Sequence, residues 1–259
     1  MKIALVGFGK MGHMIARAAE LRGHQVVCTV DLFAYDASCI TGDAKVMADA
    51  IAASGAEGLI EFSHPASVMG NIRSLVPFGL PLVVGTTGWL DNIAEVRQLV
   101  ELHNSAFLHS SNFSVGVNMF YRMVANAAKL MAELEEYDVA VLESHHNQKA
   151  DSPSGTALDI AKRVLENIPR KKTIVTGAFG RKPEPEELHV ASVRVGSVPG
   201  THTLIFDSAA DTIELTHTAR SREGFAIGAV RALEWLSAPD AGMQAKKGVF
   251  TMNDVFAAL

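Results

Sequence analysis

Lys2-Ile-Ala-Leu-Val-Gly-Phe-Gly-Lys-Met-Gly12 decides the fold. Ile3 to Val6 is an uninterrupted apolar run, as expected of a strand buried on both faces of a parallel sheet. Gly7 to Gly12 then spells Gly-x-Gly-x-x-Gly, and Met11 to Leu21 reads as a helix. Strand, glycine turn and helix, in that order, are the setting that a dinucleotide fingerprint requires. The first glycine permits the tight turn, the second lets backbone approach a pyrophosphate, and the third lets helix and strand pack closely. The helix N-terminus offers N–H donors and a partial positive charge to the phosphates.

Gln25 to Val30 is a second strand, and Asp31 closes it, 19 residues beyond Gly12. A carboxylate there accepts hydrogen bonds from the adenosine ribose hydroxyls and repels a 2′-phosphate; the plainer reading is an ordinary turn residue. Leu32 and Phe33 follow, with no arginine to receive a phosphate. The expected cofactor is therefore NADH or NADPH, with NADH favoured, although Lys10 could still contact a phosphate. Helices over 44–53, 66–78 and 92–103 alternate with strands over 58–62, 81–84 and 106–109. That alternation predicts parallel βαβ units with helices on both faces. Ligands of such sheets sit beyond the carboxyl ends of the strands. Gly85, Thr86 and Thr87 of one such loop and Ser110, Ser111, Asn112 and Phe113 of another thus join Gly7, Phe8, Gly9, Lys10, Met11, Gly12 and Asp31 as cofactor-binding candidates. The first loop also reads as a plain glycine-rich turn.

The pattern changes after Phe113. A long amphipathic helix is expected over 117–134, then a strand over 137–142 and a helix after Ser154. Strand-like runs over 172–176, 189–198, 203–206 and 212–218 follow with no helix between them. Consecutive strands predict a mostly antiparallel sheet. Residues 225–236 return to a helix, and the tail from Val249 is expected to pack on the first domain. The expected fold is α/β: an N-terminal Rossmann-type doubly wound parallel sheet, from 1–112 and 223–259, plus a C-terminal α+β domain, 113–222.

The chain has 259 residues, 48% of them hydrophobic, which suffices for a sizeable core and argues against disorder. Its net charge of −5 argues against a generic nucleic-acid surface. Cys28 and Cys39 suit a reducing cytoplasm better than a disulfide scaffold and cannot build a zinc site alone. No apolar stretch is long enough to span a bilayer. Met1-Lys2 runs directly into a strand, so no signal peptide is expected. The expected setting is cytoplasmic, with neither nucleic acid nor membrane as partner.

The chemistry concentrates in Glu143-Ser-His-His-Asn-Gln-Lys-Ala-Asp-Ser-Pro-Ser-Gly-Thr156. This run reads as a strand-to-helix connection, where loops carry function on a rigid scaffold. A histidine can give or take a proton near neutral pH. A lysine beside it can balance a carboxylate or donate a proton. Ser154-Gly155-Thr156 opens a helix whose N–H groups and hydroxyls suit a carboxylate; the alternative is that Ser154 or Thr156 merely caps the helix and His146 is structural. His202 and His217 lie on adjacent expected strands, but no third ligand is apparent and no metal site is expected. They are read with His13, His24, His64, His103, His109 and His189 as surface or structural. Arg220 and Arg222 could bind substrate or form ion pairs at the domain boundary.

Glu143 to Ala157 resembles the signature of the 4-hydroxy-tetrahydrodipicolinate reductase (dihydrodipicolinate reductase) family. The resemblance runs over the whole chain: Val6 to Gly12 resembles the family's cofactor loop, Gly85 to Gly88 its nicotinamide-side loop, Asn112 to Val117 its domain crossover, and Thr216 to Arg222 with Phe225 to Ala229 its return to the first domain. It implies hydride transfer from a nicotinamide cofactor to the ring of a cyclic, unsaturated imine dicarboxylate in the diaminopimelate route to lysine. By the same resemblance His145 is the proton donor or acceptor and Lys149 a proton donor. His146, Gly155 and Thr156 hold substrate carboxylates, with Ser154 and Thr87 added. The resemblance further implies a homotetramer joined through the sheets of the second domain, which both binds substrate and oligomerises, and closure of the two domains about hinges near Asn112 and Arg222. Two departures bear on the cofactor. The glycine loop is shorter than in many members, with Lys10 where they carry arginine, and Asp31 lacks the basic neighbour of members that use NADPH well. The rival reading is another two-domain NAD-dependent dehydrogenase, such as one acting on an amino acid. It accounts for the glycine loop but not for the His-His-x-x-Lys run.

Overall fold

Ile3, Ala4, Leu5 and Val6 are all buried, which requires neighbours on both faces of their strand. The computed structural model supplies them; it describes residues 1–239 and 245–257, so 240–244 and 258–259, assigned by sequence to the first domain, lie outside the described residues. In chain order the elements are β1 Lys2–Val6, α1 Lys10–Leu21, β2 Gln25–Asp31, β3 Cys39–Ile40, α2 Ala44–Ser54, β4 Gly58–Glu61, α3 Val68–Leu75, β5 Leu82–Val84, α4 Ile93–Leu102 and β6 Ala106–His109. There follow α5 Val115–Leu130, β7 Asp138–His145, α6 Gly155–Asn167, β8 Thr173–Val175, β9 Glu187–Arg194, β10 Thr201–Asp207 and β11 Thr212–Thr218, then α7 Glu223–Ser237, β12 Gly248–Thr251 and α8 Met252–Val255. Two compact units result: Met1–Val115 with Glu223–Leu259, and Gly116–Arg222.

The first unit is a seven-stranded sheet in the order β3-β2-β1-β4-β5-β6-β12, parallel throughout. The chain runs outward from β1 through β2 and β3, then crosses back to β4 on the other side of β1. The crevice between the ends of β1 and β4 is thus the topological switch point at which such sheets bind ligands. Val6, Val30, Leu59, Leu82, Val84 and Phe107 pack with Met47 and Ile51 of α2, Ile72 of α3 and Val96 of α4. Each fully buried aliphatic side chain contributes roughly 1.5–3 kcal/mol. On the returning segment, Glu234 of α7 accepts from Arg22 at 2.8 and 2.7 Å and lies 2.8 Å from His24, clamping α7 to the turn after α1. The tail pairs β12 with β6.

The second unit is a five-stranded sheet, β11-β10-β7-β9-β8. β10 runs antiparallel to β11 and β7, whereas β9 runs parallel to β7 and β8. The sheet is therefore evenly mixed, where consecutive strands had predicted a mostly antiparallel one. The reason is α6, which crosses over between β7 and β8 and so returns the chain in the same direction. Val117, Phe120 and Val124 of α5 and Ile160 and Val164 of α6 pack on Val139, Val141, Val190, Leu204 and Phe206. α5 stops at Leu130, four residues short of the expected 134. There the Arg170 guanidinium donates to the carbonyls of Ala132 at 2.5 Å and Met131 at 3.4 Å, satisfying groups at the helix end that further turns would have bonded.

Candidate active site

In the first unit the fingerprint builds a cleft at the switch point. Gly7 has φ +91°, and a Cβ there would land on the carbonyl of Phe62, so only glycine fits. A Cβ on Gly9 would meet nothing within 4 Å, which leaves the open approach a pyrophosphate needs beside the N-terminus of α1. That N-terminus has no side-chain cap and no acidic residue in its first turn. Lys10 is exposed at its start, with Met11 half-buried behind it. Phe8 stacks on His13 at 4.1 Å between centroids, and His13 reaches Asp36 at 2.7 Å.

A cleft of about 670 Å³ is lined by Gly7, Gly9, Asp31, Leu32, Phe33, Ser63 and Asn71, among others. Asp31 accepts from the backbone N–H of Phe8 at 2.6 Å, Phe33 at 2.8 Å and Ala34 at 3.0 Å. Burial alone would raise its pKa, but these backbone donors outweigh that and hold it below the usual carboxylate range. The group is thus ionised and fixed. Loop Gly85–Gly88 lies past β5: Gly85 N–H donates to the Glu61 carbonyl at 2.9 Å, and the buried Trp89 indole donates to the Thr86 carbonyl at 2.8 Å. A Cβ on Gly85 would strike the Phe62 ring. Thr86 is buried and Thr87 exposed. Past β6, the Ser110 hydroxyl donates to the Asn112 carbonyl at 2.9 Å and Ser111 is exposed, whereas Phe113 is buried with its ring 5.5 Å from that of Phe62. Phe113 therefore offers a ligand its backbone, not its ring. Glycine loop, ionised acid and open cleft together fit a dinucleotide.

In the second unit the chemistry begins one element earlier than the sequence suggested. Glu143 and His145 belong to β7 itself, both pointing to its buried side, and only His146–Ser154 is connection. Sheet register sets Arg194 of β9 beside His145 and His202 of β10 beside Glu143. Glu143 is fully buried. Its Oε2 pairs with His145 Nδ1, and its Oε1 accepts from Arg194 at 2.8 Å and from the Ser154 backbone N–H at 3.3 Å. Burial pushes its pKa up, but hydrogen bonds from Arg194 and His145 more than offset that, so the carboxylate stays ionised. An ionised carboxylate only accepts, so His145 Nδ1 carries the proton and Nε2 is left as the base. Burial depresses the His145 pKa, Glu143 raises it, and Lys149 and Arg194 lower it further. At neutral pH the ring is thus uncharged. Its Nε2 abuts Gly200, where a Cβ would come within 2.8 Å.

Lys149 pairs with Asp151 at 2.7 Å and is three-quarters buried. Ser154 caps α6: its hydroxyl accepts from the Ala157 N–H at 3.2 Å and lies 3.1 Å from His202 Nε2. The hydroxyl therefore faces inward. Gly155 and Thr156 are the first two residues of α6, at its positive end. His146 is half-exposed at the start of the same connection.

Glu143, Arg194 and His202 were not among the predicted site residues. His202, read as surface or structural, is buried, stands edge-on to His145 at 5.1 Å, and has its pKa pushed down to about 4, by burial first and by His145 second. Glu143, His145 and His202 bring a ligand atom each within 4.8 Å of one another, but the guanidinium on Glu143 opposes a cation, and the bonded arrangement is that of an oriented base.

The dihydrodipicolinate reductase N-terminus model matches residues 1–113 and the C-terminus model residues 116–256. The chain belongs to the dihydrodipicolinate reductase family. A relative from Christiangramia forsetii, named 4-hydroxy-tetrahydrodipicolinate reductase, is 39% identical over 259 residues, covering 100% of this chain and 99% of that one. Another of the same name from Archaeoglobus fulgidus is 38% identical over 264 residues, covering 98% and 99%. Among solved structures, the dipicolinate-bound dihydrodipicolinate reductase of Paenisporosarcina sp. TG-14 superposes with a TM-score of 0.75 over 98% of both chains. At 19% identity, that likeness speaks for the fold. The family membership favours the reductase over the rival amino-acid dehydrogenase.

Proposed function

We propose that this chain is an NAD(P)H-dependent oxidoreductase with 4-hydroxy-tetrahydrodipicolinate reductase activity, giving tetrahydrodipicolinate in the diaminopimelate route to lysine. The observation that carries the reading is the buried Glu143–His145 pair placed beside Lys149 and the N-terminus of α6. Reduction of a cyclic imine dicarboxylate needs a hydride, a proton and neutralisation of two carboxylates. The bound nicotinamide supplies the hydride. The N–H groups of Gly155 and Thr156 and the positive end of α6 receive one carboxylate, with His146 beside them. Ser154 serves as the cap that fixes that helix end, and Thr87 adds a hydroxyl from its exposed loop. His145, neutral at rest, takes up a ring proton at Nε2 while Lys149 delivers one to the departing 4-hydroxyl, which leaves as water. The imidazolium then returns its proton to the reduced ring, and Lys149 is reprotonated from solvent. Holding these groups in one pose is where most of the barrier lowering arises.

The residues proposed to hold the cofactor are Gly7 to Gly12 at the pyrophosphate, Asp31 at the ribose, Gly85 to Thr87 and Ser110 to Phe113 at the nicotinamide side. NADH is favoured over NADPH because Asp31 is held ionised and no arginine adjoins it. No step in this reading requires a metal. A homotetramer built on the five-stranded sheet is supported by its uncovered face, where Leu142 and Val193 are 40% and 46% exposed opposite the face that α5 and α6 cover. No helix among the described residues is long and apolar enough to cross a membrane, and the two free cysteines accord with a cytoplasmic setting. The test is oxidation of NADH and NADPH with substrate generated in place by the synthase that condenses pyruvate with aspartate semialdehyde. Synthase-dependent oxidation, faster with NADH, is the expected result. Faster oxidation with NADPH overturns the cofactor preference alone, and none with either overturns the activity.

A further inference from the structure

One buried acid has no part in the chemistry above. Glu61, the last residue of β4, is fully buried behind the cleft-lining Ser63 and Asn71, to which it is bonded. Its two oxygens are treated unequally. Oε1 accepts from the Ser63 hydroxyl, from the Ser63 N–H at 3.2 Å and from Asn71 Nδ2 at 3.1 Å. Oε2 has no hydrogen-bond partner, and neither has the buried hydroxyl oxygen of Thr86, which lies against the same carboxyl. The Thr86 hydroxyl has a proton of its own, so this pair can bond in either direction. The charge state is decided instead by the surroundings of the carboxyl, which is fully buried and bonded by no cation among the described residues. An ionised carboxyl there leaves a full charge uncompensated in a dry site, whereas a protonated Oε2 carries none and can donate to the Thr86 oxygen.

We infer that Glu61 is a neutral carboxylic acid that donates from Oε2 to the Thr86 hydroxyl, and so pins the Gly85–Gly88 loop to the end of β4 as a positioning residue for the nicotinamide cofactor. Burial drives its affinity for a proton in the same direction, ahead of the opposing bonds from Ser63, Thr86 and Asn71. All three of these neighbours are uncharged. The backbone reinforces the link, since Gly85 N–H donates to the Glu61 carbonyl while Trp89 holds the Thr86 carbonyl from the other side. Ser63 and Asn71 line the cleft that Asp31 and Gly9 also line. A neutral Glu61 therefore fixes the cleft wall without adding a second negative charge beside an anionic ligand. The inference on cofactor placement rests on the nicotinamide reading above; the protonation state does not.

Two measurements decide it. Infrared difference spectra of the wild type against Glu61→Gln, at neutral pH and without ligand, should show loss of one buried carboxylic-acid carbonyl band. NADH binding, followed by fluorescence, should be kept within about twofold in Glu61→Gln, whose amide N–H can still donate to Thr86. It should weaken about tenfold in Glu61→Ala and in Thr86→Val, each of which deletes one side of the bond. A wild-type spectrum without that band overturns the neutral acid. Glu61→Gln binding as poorly as Glu61→Ala, with both folded by circular dichroism, overturns the positioning role. Wild-type protein that binds no nicotinamide nucleotide at all instead overturns the cofactor reading, and the infrared band still decides the protonation.

Discussion

Glu143→Gln tests the proposed proton chemistry. Glu143 satisfies two donors at once, Arg194 at 2.8 Å on Oε1 and His145 Nδ1 on Oε2. Glutamine offers one acceptor and one donor. The guanidinium has the stronger demand, so the amide oxygen should face Arg194 and the amide N–H should face His145. Nδ1 must then accept, which moves the ring proton to Nε2 and removes the base from the side left for substrate. The packing is nearly unchanged, so the loss should fall on turnover. Outer partners of functional histidines cost roughly 10–100-fold when altered. Here the tautomer is inverted and the counter-charge to an imidazolium is lost as well, so kcat should fall by about 100-fold or more, roughly 2.7 kcal/mol at 1.36 kcal/mol per decade. The KM for NADH should be little changed, because Glu143 lies in the other unit. The pH profile supplies a second sign. Glu143 raises the His145 pKa, so its neutralisation lowers that pKa, and the acidic limb of the kcat profile moves to lower pH. The assay is synthase-coupled nicotinamide oxidation across pH, on protein checked by circular dichroism. A kcat within threefold of wild type, with the acidic limb unmoved, would refute the oriented-base argument.

Asp31→Ser should damage both cofactors, because Phe8, Phe33 and Ala34 lose their acceptor. It should nevertheless lower the NADH/NADPH ratio of kcat/KM by about tenfold, the scale of one partly screened charge pair; an unchanged ratio in steady-state kinetics counts against Asp31 as discriminator. Lys149→Ala should cut kcat by roughly 100-fold or more while leaving NADH affinity by fluorescence unchanged; weakened NADH binding would assign Lys149 elsewhere. Glu234→Gln should lower stability to urea by about 1–2 kcal/mol, because it frees Arg22 and His24. Its carboxylate has a depressed pKa, from Arg22 first, so its contribution is present above the unfolded pKa and lost as pH falls through the folded one. The difference between wild type and variant should accordingly shrink in acid, and a difference that grows there would contradict the assignment.

The fingerprint was legible because it is local: six consecutive residues turn the chain, and Asp31 is brought back by one strand. The alternation of helices and strands was equally legible, save β3, whose two residues are too few to show a period. The second unit resisted because its pairing is not local. Nothing within β7 announces that β9 will lie parallel to it, and that register alone brings Arg194 to Glu143 across 50 intervening positions. The place of His202 was illegible for the same reason, since α6 brings the Ser154 hydroxyl to its Nε2 and sheet register sets it beside Glu143. Glu143 itself stood in the quoted motif, and the available signal was its place two residues before His145 on one strand. Residues i and i+2 share a face, so a glutamate next to that histidine on a buried face had to be paired or neutral.

That rule separates the two buried glutamates. Glu143 has a guanidinium and an imidazole N–H within reach, so its charge is stabilised and transmitted to Nε2 of His145. Glu61 has only hydroxyls, an amide and a backbone N–H, none of which compensates a full charge in a dry wall, so the proton stays and the group becomes a donor. One residue type thus does two jobs in one chain, and the neighbours on adjacent strands decide which. For Glu143 they are the β9 arginine and the α6 cap, and for Glu61 the hydroxyl of the loop after β5. Exchange of the neighbours, not of the acids, is therefore the sharper perturbation. Arg194→Met should raise the proton affinity of both partners, since Glu143 loses its strongest donor and His145 loses a positive neighbour that lowers its pKa. With the glutamate still ionised, the acidic limb of kcat should move up, opposite to Glu143→Gln. If the limb instead stays in place while stability falls, Arg194 is a packing residue, and the charge on Glu143 is maintained by His145 alone.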